Sequence, residues 1–407
     1  MAVGSGELPE MLPVAGFRLG TTSAGIKTPG RPDLVVMELS KGSDIACVFT
    51  RNAFCAAPVL LSRQHLSAAK EAGMGIRYLV VNTGNANAGM GECGFDAAVS
   101  TCQHLAEQVG VDVTQVLPFS TGVIGQPLPI DKIIAAMPDA VSKLSETGWL
   151  EAAAGIMTTD TRPKAACRRL SIGEKTITIS GIAKGAGMIR PDMATMLAYI
   201  ATDAGIDPGT LQQALSRAVE GSFNRITIDG DTSTNDSVVL VATGAGQALS
   251  APEELEAFQH ALDELSVELA QAIVKDGEGA TKFVEVDVSS GGTDQECLAV
   301  AYTIAESPLV KTALFAADPN WGRILAAVGR AGIDDLDVNG VTISLDDVVI
   351  AENGGMAHGY RERDAQAVMD REAFAIRVDL ARGESRQRVW TTDLSHDYIR
   401  INAEYRT

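Results

Sequence analysis

The sequence predicts a mixed α/β protein that is not built on the Rossmann fold. Short apolar runs bounded by turn residues recur along the chain and are typical of buried strands. Stretches with apolar residues every three or four positions lie between them and indicate amphipathic helices. The two kinds of segment do not alternate regularly, as they would in a βαβ protein. The glycine motifs at 185–187 and 243–246 are also too short to indicate a nucleotide-binding loop.

The bulk composition is that of a folded protein long enough for about two domains. Of the 407 residues, 46% are hydrophobic, and the formal net charge is −19. A negative excess of this size argues against a nucleic acid or an anionic membrane as partner. The chain has no window with the roughly 18 uninterrupted apolar residues of a membrane helix. Its start lacks the basic region and apolar core of a signal peptide, so we expect a cytoplasmic location.

The six cysteines are dispersed, without a CxxC motif or paired Cys/His spacing. They therefore indicate reduced thiols, and not a disulfide framework or a zinc site, so we expect no metal. A cysteine nucleophile stays open as an alternative, although no local motif supports one.

The N-terminal part is predicted to alternate strands with helices. Strands are predicted at 34–39, 46–50 and 78–82, and helices at 95–109, 130–144 and 149–157.

Two loops follow predicted strands in this part. The loop NTGNANAGMG, at 82–91, could present amides to a ligand or could consist of turns that tolerate left-handed backbone. The segment STGVIG, at 120–125, leaves the hydroxyl of Thr121 and the N–H of Gly122 available as donors. An ordinary Ser/Thr/Gly turn is the alternative there.

The central part carries clearer local signals. A hairpin is predicted at 171–180, and the pair Asp207-Pro208 begins a helix with a cap followed by Pro at the first helical position. The acidic loop 229–236 lacks the spacing of a calcium-binding loop, and we expect it to support a site through hydrogen bonds.

The clearest helix follows a predicted strand at 237–243. Ser250 and Glu253 fit a capping box at its start. Its buried stripe is predicted to be Leu255, Phe258, Leu262, Leu265, Leu269 and Ile273.

The remainder combines further strands and helices. Strands are predicted at 283–288 and 374–380, and helical structure at 298–331 with a break at 318–322. The closing segment TTDLSHDYIRINAEYRT has no glycine, and we expect it to be ordered.

One stretch, Lys184 to Asp203, stands out. It reads KGAGMIRPDMATMLAYIATD, and its apolar run from Met193 to Ala201 predicts a strand buried on both faces. The hydroxyl of Thr195 lies within that run. By itself this residue has a structural interpretation, because β-branched side chains suit strands and the hydroxyl can bond to backbone.

The string KGxGMIxPxMATML resembles the self-processing segment of the ornithine acetyltransferases, also called bifunctional glutamate N-acetyltransferases. The resemblance extends over the whole chain, including the closing segment. It implies cleavage of the Ala194-Thr195 bond, giving an alpha chain 1–194 and a beta chain 195–407. The two chains would interleave in one catalytic core with a smaller C-terminal subdomain, and the family implies a heterotetramer of two alpha and two beta chains. The implied fold is a layered αββα sandwich, which this family shares with the β-peptidyl aminopeptidases.

The resemblance makes Thr195 an N-terminal nucleophile. A Thr hydroxyl is a weak nucleophile and needs a base within hydrogen-bond reach. At the head of a chain, its own α-amine, with a pKa of about 7.7 to 8.0, can accept the hydroxyl proton near neutral pH. No histidine is then required, in keeping with five histidines that lie outside any recognised motif.

The other site residues are carried over from the family by position. Thr121 and Gly122 match the oxyanion hole. The positions that match substrate contacts are Thr158, Lys184, Thr195, Glu278, Asn402 and Thr407.

Charge suggests how two of these residues would be used. Lys184 suits the α-carboxylate of the substrate, and Glu278 suits the distal ammonium of ornithine. A solvated loop acid is the alternative for Glu278. An acceptor glutamate beside Glu278 would place two carboxylates together at a high cost. Either Glu278 is hydrated or the glutamate side chain turns to another partner, which the sequence does not name.

The resemblance implies ping-pong transfer of acetyl from N-acetylornithine to glutamate, in the biosynthesis of arginine. Acetyl-CoA stays open as a second acetyl donor, and no other cofactor is implied. Two alternatives remain. One is a self-processing amidohydrolase of the β-peptidyl aminopeptidase type, whose acyl-enzyme is resolved by water. The other is an uncleaved, non-catalytic protein that binds a small ligand.

Overall fold

The computed structural model describes residues 2–190 and 196–405. The predicted cleavage site Ala194-Thr195 and the terminal Thr407 lie outside the described residues. The strands of the described ranges are, in chain order, β1 Phe17–Thr22, β2 Leu34–Leu39, β3 Asp44–Phe49, β4 Tyr78–Asn85, β5 Val116–Val123, β6 Lys164–Ile172, β7 Lys175–Lys184, β8 Leu197–Thr202, β9 Ile226–Thr227, β10 Ser237–Ala242, β11 Phe283–Gly291, β12 Thr342–Leu345, β13 Val348–Glu352, β14 Gly355–Met356, β15 Ala373–Asp379 and β16 Ser385–Thr392. The α-helices are α1 Ala57–Glu71, α2 Gly91–Val109, α3 Ile130–Ser142, α4 Trp149–Gly155, α5 Pro208–Gly221, α6 Pro252–Lys275, α7 Asp294–Ala305, α8 Pro308–Phe315, α9 Trp321–Gly329, α10 Glu362–Met369 and α11 His396–Ala403.

Two sheets pack face to face in the body of the protein. One has the strand order β1-β2-β4-β5, and the other has the order β3-β10-β8-β7-β6. Their facing side chains form one apolar core, in which the rings of Phe119 and Tyr199 meet edge to face with centroids 5.4 Å apart. Trp149, at the start of α4, stacks on Phe17 in the same core.

Helices cover the outer face of each of these sheets. Helices α1, α2 and α3 pack on the first sheet, and α5 and α6 pack on the second. The order of layers is therefore helix, sheet, sheet, helix, and the predicted αββα sandwich is confirmed.

The central strands of the second sheet are buried on both faces, as the apolar run predicted. Every residue of β8 and of β10 is buried. The reason is the layering, since the first sheet covers one face and the stripe of α6 covers the other. The strands of this sheet come from both sides of the predicted cleavage site, β3, β6 and β7 before it and β8 and β10 after it.

A third sheet, of seven strands, forms a separate C-terminal layer with the order β14-β13-β12-β15-β11-β16-β9. Helices α7 to α10 pack on it around their own apolar core. The stretch 298–331, which was predicted to be helical with one break, consists of the three helices α7, α8 and α9. Among the described helices, none is by itself long and apolar enough to cross a membrane, and only the bent pair α7 and α8, 57° apart, matches by length and composition.

The predicted capping box of α6 is wrong by one residue. The N-cap is Ala251, and the Oε2 of Glu254 accepts from the N–H groups of Ser250 and Ala251 at 3.0 and 3.2 Å. Pro252 takes the first helical position because it has no N–H to leave unpaired. The acid that reaches back is therefore Glu254 and not Glu253.

Candidate active site

A pocket of about 270 Å³ lies where β5, β7 and β8 approach the closing helix α11. It is lined by six of the site residues that the family resemblance assigned, namely Thr121, Gly122, Thr158, Lys184, Glu278 and Asn402. Met196, which directly follows Thr195 in the chain, also lines it. Thr195, Ala194 and Thr407 lie outside the described residues, and their roles stay predictions.

The pair Thr121 and Gly122 belongs to β5 itself, and not to a loop beyond the strand. Gly122 pairs with Gly84 of the parallel strand β4, next to a register irregularity at Asn85. Gly122 has a φ of +135°, and a Cβ there would lie 2.3 Å from the backbone carbon of Gly84. Only glycine fits this close approach of two strands.

Lys184 bonds directly to Thr121. Its Nζ lies 3.3 Å from the Thr121 Oγ1. An ammonium can only donate, so the hydroxyl oxygen accepts this bond and its own hydrogen is free to donate elsewhere. Burial lowers the pKa of Lys184, although the charge of Asp160 opposes that effect.

Asp160, which the sequence interpretation did not single out, joins two parts of the site. Its carboxylate accepts from the Nζ of Lys164 at 2.6 Å, from the N–H of Gly185 at 2.7 Å and from the N–H of Thr158 at 2.9 Å. Lys164 also donates to Asp276 at 2.6 Å. Burial would raise the pKa of Asp160, but the charges of Lys164 and Lys184 outweigh it and hold that pKa below its usual value. In the sequence, its only signal is the stretch TTDTRPK at 158–164, which places three hydroxyls and this acid together.

Glu278 is buried and points into the pocket, so its interpretation as a solvated loop acid is wrong. Its Oε2 accepts from the Nδ2 of Asn402 at 2.7 Å, and its N–H donates to the carbonyl of Ala186 at 2.7 Å. A Cβ on Gly187 would lie 2.5 Å from the Glu278 carboxylate. The second glycine of the GxG motif therefore makes room for this acid.

Asp236 ends the loop 229–236, which was expected from the sequence to support a site, although this residue was not singled out. It is buried, it lines the pocket, and its Oδ2 has no hydrogen-bond partner in the described part of the chain. The N–H of its neighbour Ser237 donates to the carbonyl of Met196 at 2.9 Å, which places Asp236 beside Met196 across the sheet. Burial raises the pKa of Asp236 well above its usual value, against the lowering effect of a hydrogen bond from Ser233 and the charge of Lys184.

Comparison with known proteins identifies the family. The model of the ArgJ family matches residues 18–407. The chain belongs to the ArgJ family. Relatives named arginine biosynthesis bifunctional protein ArgJ include one from Pseudomonas fluorescens, 57% identical over 100% of both chains. Another, from Methylococcus capsulatus, is 55% identical over 98% of this chain and 97% of the relative. The family predicted from the self-processing motif is thus confirmed.

Solved structures similar to this ArgJ family member cover part of the chain. An ArgJ from Bacillus halodurans is 42% identical, with a TM-score of 0.49, and the match covers 51% of this chain and 99% of that one. An ornithine acetyltransferase from Mycobacterium tuberculosis, complexed with ornithine, is 34% identical, with a TM-score of 0.38, and the match covers 44% and 94%.

In this ArgJ family member the loop 229–236 supports the pocket through hydrogen bonds, as predicted. The Nδ2 of Asn235 donates to the carbonyls of Ala86 at 2.6 Å and Ser120 at 2.9 Å, which ties together the ends of β4 and β5. Asp229 accepts from the N–H groups of Met188 at 2.6 Å and Ile189 at 2.9 Å.

The asparagines of the loop 82–91 stabilise turns, which was one of the two interpretations of this loop; the other was that they bind a ligand. The Nδ2 of Asn85 donates to the carbonyls of Gln126 and Pro127, both at 3.1 Å. Asn87 has left-handed backbone, with a φ of 48°, and its Nδ2 donates to the carbonyl of Gly94. These amides hold loops and do not point to a ligand.

The cysteines of this ArgJ family member lie away from the pocket. None of the six lines it. Burial raises the pKa of Cys47 and of Cys102, which keeps both as neutral thiols. The alternative of a cysteine nucleophile at this site therefore has no support. Among the described residues, no group of three or more His, Cys, Asp or Glu could hold a metal ion.

Proposed function

We propose that this protein transfers an acetyl group from N-acetylornithine to glutamate through an acetyl ester on Thr195. The supporting observation is the bond from Lys184 to Thr121, because it leaves the Thr121 hydroxyl free to donate into the pocket lined by Met196. The N–H of Gly122 is the second donor. Two such donors stabilise the oxyanion that forms when an acyl carbonyl is attacked.

The first half-reaction breaks the amide of the donor. The Thr195 oxygen bonds to the acetyl carbon, and its proton passes to the α-amine of the same residue. The bond from the acetyl carbon to the ornithine nitrogen then breaks, and the departing amine takes up that proton. Ornithine leaves, and the acetyl group remains as an ester.

The second half-reaction resolves the ester. The α-amine of glutamate bonds to the acetyl carbon, and the bond from that carbon to the Thr195 oxygen breaks. A proton from the attacking amine returns to the Thr195 oxygen. N-acetylglutamate leaves, and the free hydroxyl is restored.

Two charged residues would position the donor in this scheme. Lys184 holds the α-carboxylate, and Glu278 with Asn402 holds the distal ammonium of ornithine. Thr158, Asn402 and Thr407 complete the substrate contacts. Relatives carry the word bifunctional in their names, and we include acetyl-CoA as a second acetyl donor on that basis.

Self-cleavage between Ala194 and Thr195 is part of the same proposal. It would give an alpha chain 1–194 and a beta chain 195–407 that share the five-stranded sheet, assembled as two alpha and two beta chains. The same two donors, Thr121 and Gly122, would stabilise the oxyanion at Ala194 during cleavage. A cytoplasmic location, where the amino-acid substrates occur, completes the proposal.

The decisive experiment measures acetyl-glutamate formation from each donor separately. Purified protein is incubated with glutamate and either N-acetylornithine or acetyl-CoA, and with N-acetylornithine in the absence of glutamate. Transfer predicts acetyl-glutamate only when glutamate is present, with the Thr195→Ala variant inactive and uncleaved. Acetate released equally with and without glutamate would instead indicate an amidohydrolase. A fully active protein that runs as one band on a denaturing gel would exclude the nucleophile proposed here.

A further inference from the structure

A second, smaller cavity adjoins the pocket described above. It has a volume of about 150 Å³ and shares four lining residues with the main pocket. These are Gly122, Thr158, Thr159 and Tyr405. Its remaining walls include Lys27, Thr28, Arg31 and Asp33, and we call this cavity the basic branch.

The two cations of the basic branch bond only to neutral groups in the described part of the chain. The Nζ of Lys27 donates to the carbonyl of Tyr405 at 2.8 Å and lies 5.0 Å from the centroid of that ring. A guanidinium nitrogen of Arg31 donates to the carbonyl of Thr158 at 2.9 Å. Neither cation is therefore paired with an acid among the described residues, and Arg31 keeps further N–H donors.

The one acid among the described lining residues of the basic branch is already engaged. Asp33 is buried, and its two carboxylate oxygens accept from the N–H groups of Ala24 at 2.5 Å and Ile26 at 2.6 Å. These bonds tie the loop after β1 to the start of β2. The described residues of the lining thus carry two positive charges and one negative charge, and the positive groups are the ones with donors to spare.

The main pocket has a different set of charges. Its described lining holds two acids, Glu278 and Asp236, and one cation, Lys184. Asn402, the hydrogen-bond partner of Glu278, carries no charge. Glu278 does not line the basic branch, and neither Lys27 nor Arg31 lines the main pocket. Gly122 and Thr158 line both cavities. A substrate whose reacting amine lies at Gly122 can therefore send its side chain towards an anion or towards two cations.

We propose that the basic branch binds the distal carboxylate of the acidic acceptor, with Arg31 as the main contact and Lys27 as a second cation. The inference rests on the proposed acetyl transfer and extends it. The two half-reactions then use different walls of two adjoining cavities. The distal ammonium of the donor lies at Glu278, and the distal carboxylate of the acceptor lies at Arg31. In this arrangement the carboxylate of the acceptor does not lie beside that of Glu278, which avoids the cost of burying two like charges together.

The test compares acceptors in the Arg31→Gln and Lys27→Gln variants. Glutamine is the neutral isostere of glutamate, so the ratio of kcat/KM for glutamate over glutamine reports on the distal charge. In the unchanged protein we expect a strong preference for glutamate. In Arg31→Gln we expect kcat/KM for glutamate to fall on the order of ten- to a hundredfold, as for a lost hydrogen bond to a charged group, with little change for glutamine. Lys27→Gln should give a smaller change in the same direction.

The first half-reaction supplies the internal control. Release of ornithine in a single turnover, and acetylation of the beta chain seen by mass spectrometry, should stay within about twofold in both variants, because neither cation contacts the donor in this proposal. Arg217→Gln is the matched control on an exposed helix surface, where Arg217 pairs with Glu256. It should change neither half-reaction.

The outcomes separate this inference from the proposed function. If the unchanged protein forms no acetylated beta chain with N-acetylornithine, the acetyl transfer itself fails. If the chain is acetylated but Arg31→Gln leaves the glutamate-to-glutamine ratio unchanged, the basic branch is not the acceptor site. A higher KM for acetyl-CoA without any change for glutamate would also overturn the inference, because the branch would then hold an anionic group of that donor.

Discussion

The ammonium of Lys184 lies 3.3 Å from the hydroxyl oxygen of Thr121. Because an ammonium can only donate, the Thr121 oxygen accepts this bond and its hydrogen points away from Lys184. The contact thus keeps the Thr121 hydroxyl available as a donor beside the Gly122 N–H. The geometry leads to the first of four predictions.

Replacing Thr121 by Val removes the donor while keeping the shape of the side chain. We expect kcat to fall by about two to three powers of ten, which is typical of the loss of one oxyanion donor. Single-turnover release of ornithine, expressed per cleaved beta chain, measures the effect on the first half-reaction, because Thr121 would also assist the self-cleavage. Thr121→Ser, which keeps the hydroxyl, is the control and should restore most of the rate. Equal losses in both variants would show that Thr121 acts through packing.

Replacing Gly187 by Ala should displace the Glu278 carboxylate, because the added Cβ would lie 2.5 Å from it. We expect KM for N-acetylornithine to rise, while turnover with acetyl-CoA, which has no distal ammonium, changes less. Gly329→Ala in α9 is the matched control, since a Cβ there meets no atom within 4 Å and alanine favours a helix. An unchanged KM for N-acetylornithine in Gly187→Ala would argue against Glu278 as the ammonium partner.

Asp236→Asn should change how stability depends on pH. Because the pKa of Asp236 is raised, the folded protein keeps a proton that the unfolded chain loses above a pKa of about 3.9. The free energy of unfolding should therefore fall as pH rises from that value towards the folded-state pKa. Asn cannot ionise, so the variant should lack this fall and be relatively more stable at neutral pH.

Urea denaturation between about pH 4 and 8 measures this effect. Both proteins should carry Thr195→Ala, so that each remains a single chain and its unfolding does not depend on reassembly. Parallel stability curves for the two proteins would contradict the assignment.

Asp160→Asn should be strongly destabilising. It removes one of two carboxylates from Lys164, whose side chain is 1% exposed, and the loss of one partner of a buried ion pair typically costs about 3 to 5 kcal/mol. The N–H groups of Gly185 and Thr158 would also lose a charged acceptor. Asp347→Asn is the control, because Asp347 pairs with Arg377 at the surface and its side chain is 98% exposed. Thermal unfolding compares the two, and a small shift in Asp160→Asn would show that Asp276 alone satisfies Lys164.

The sequence by itself determined the parts of the molecule that depend on neighbouring residues. The sequence predicted the apolar strand β8, the buried stripe of α6 and the Asp207 cap of α5. These features could be predicted because periodicity and capping depend on residues within a few positions of one another. The motif around Thr195 identified the family for the same reason, since its residues are consecutive. The capping box of α6 failed by one residue because two overlapping local signals, Ser250 with Glu253 and Pro252 with Glu254, compete there.

Only the tertiary structure decided which distant residues share the pocket. Glu278 and Asn402 are 124 positions apart, and Arg31 and Thr158 are 127 apart, so no local pattern relates them. The burial of Asp160 and Asp236 likewise depends on chain segments that pack over them, and with it the direction in which each pKa shifts. Desolvation and charge pairing arise from all atoms around a group, and the fold, not the order of residues, brings those atoms together.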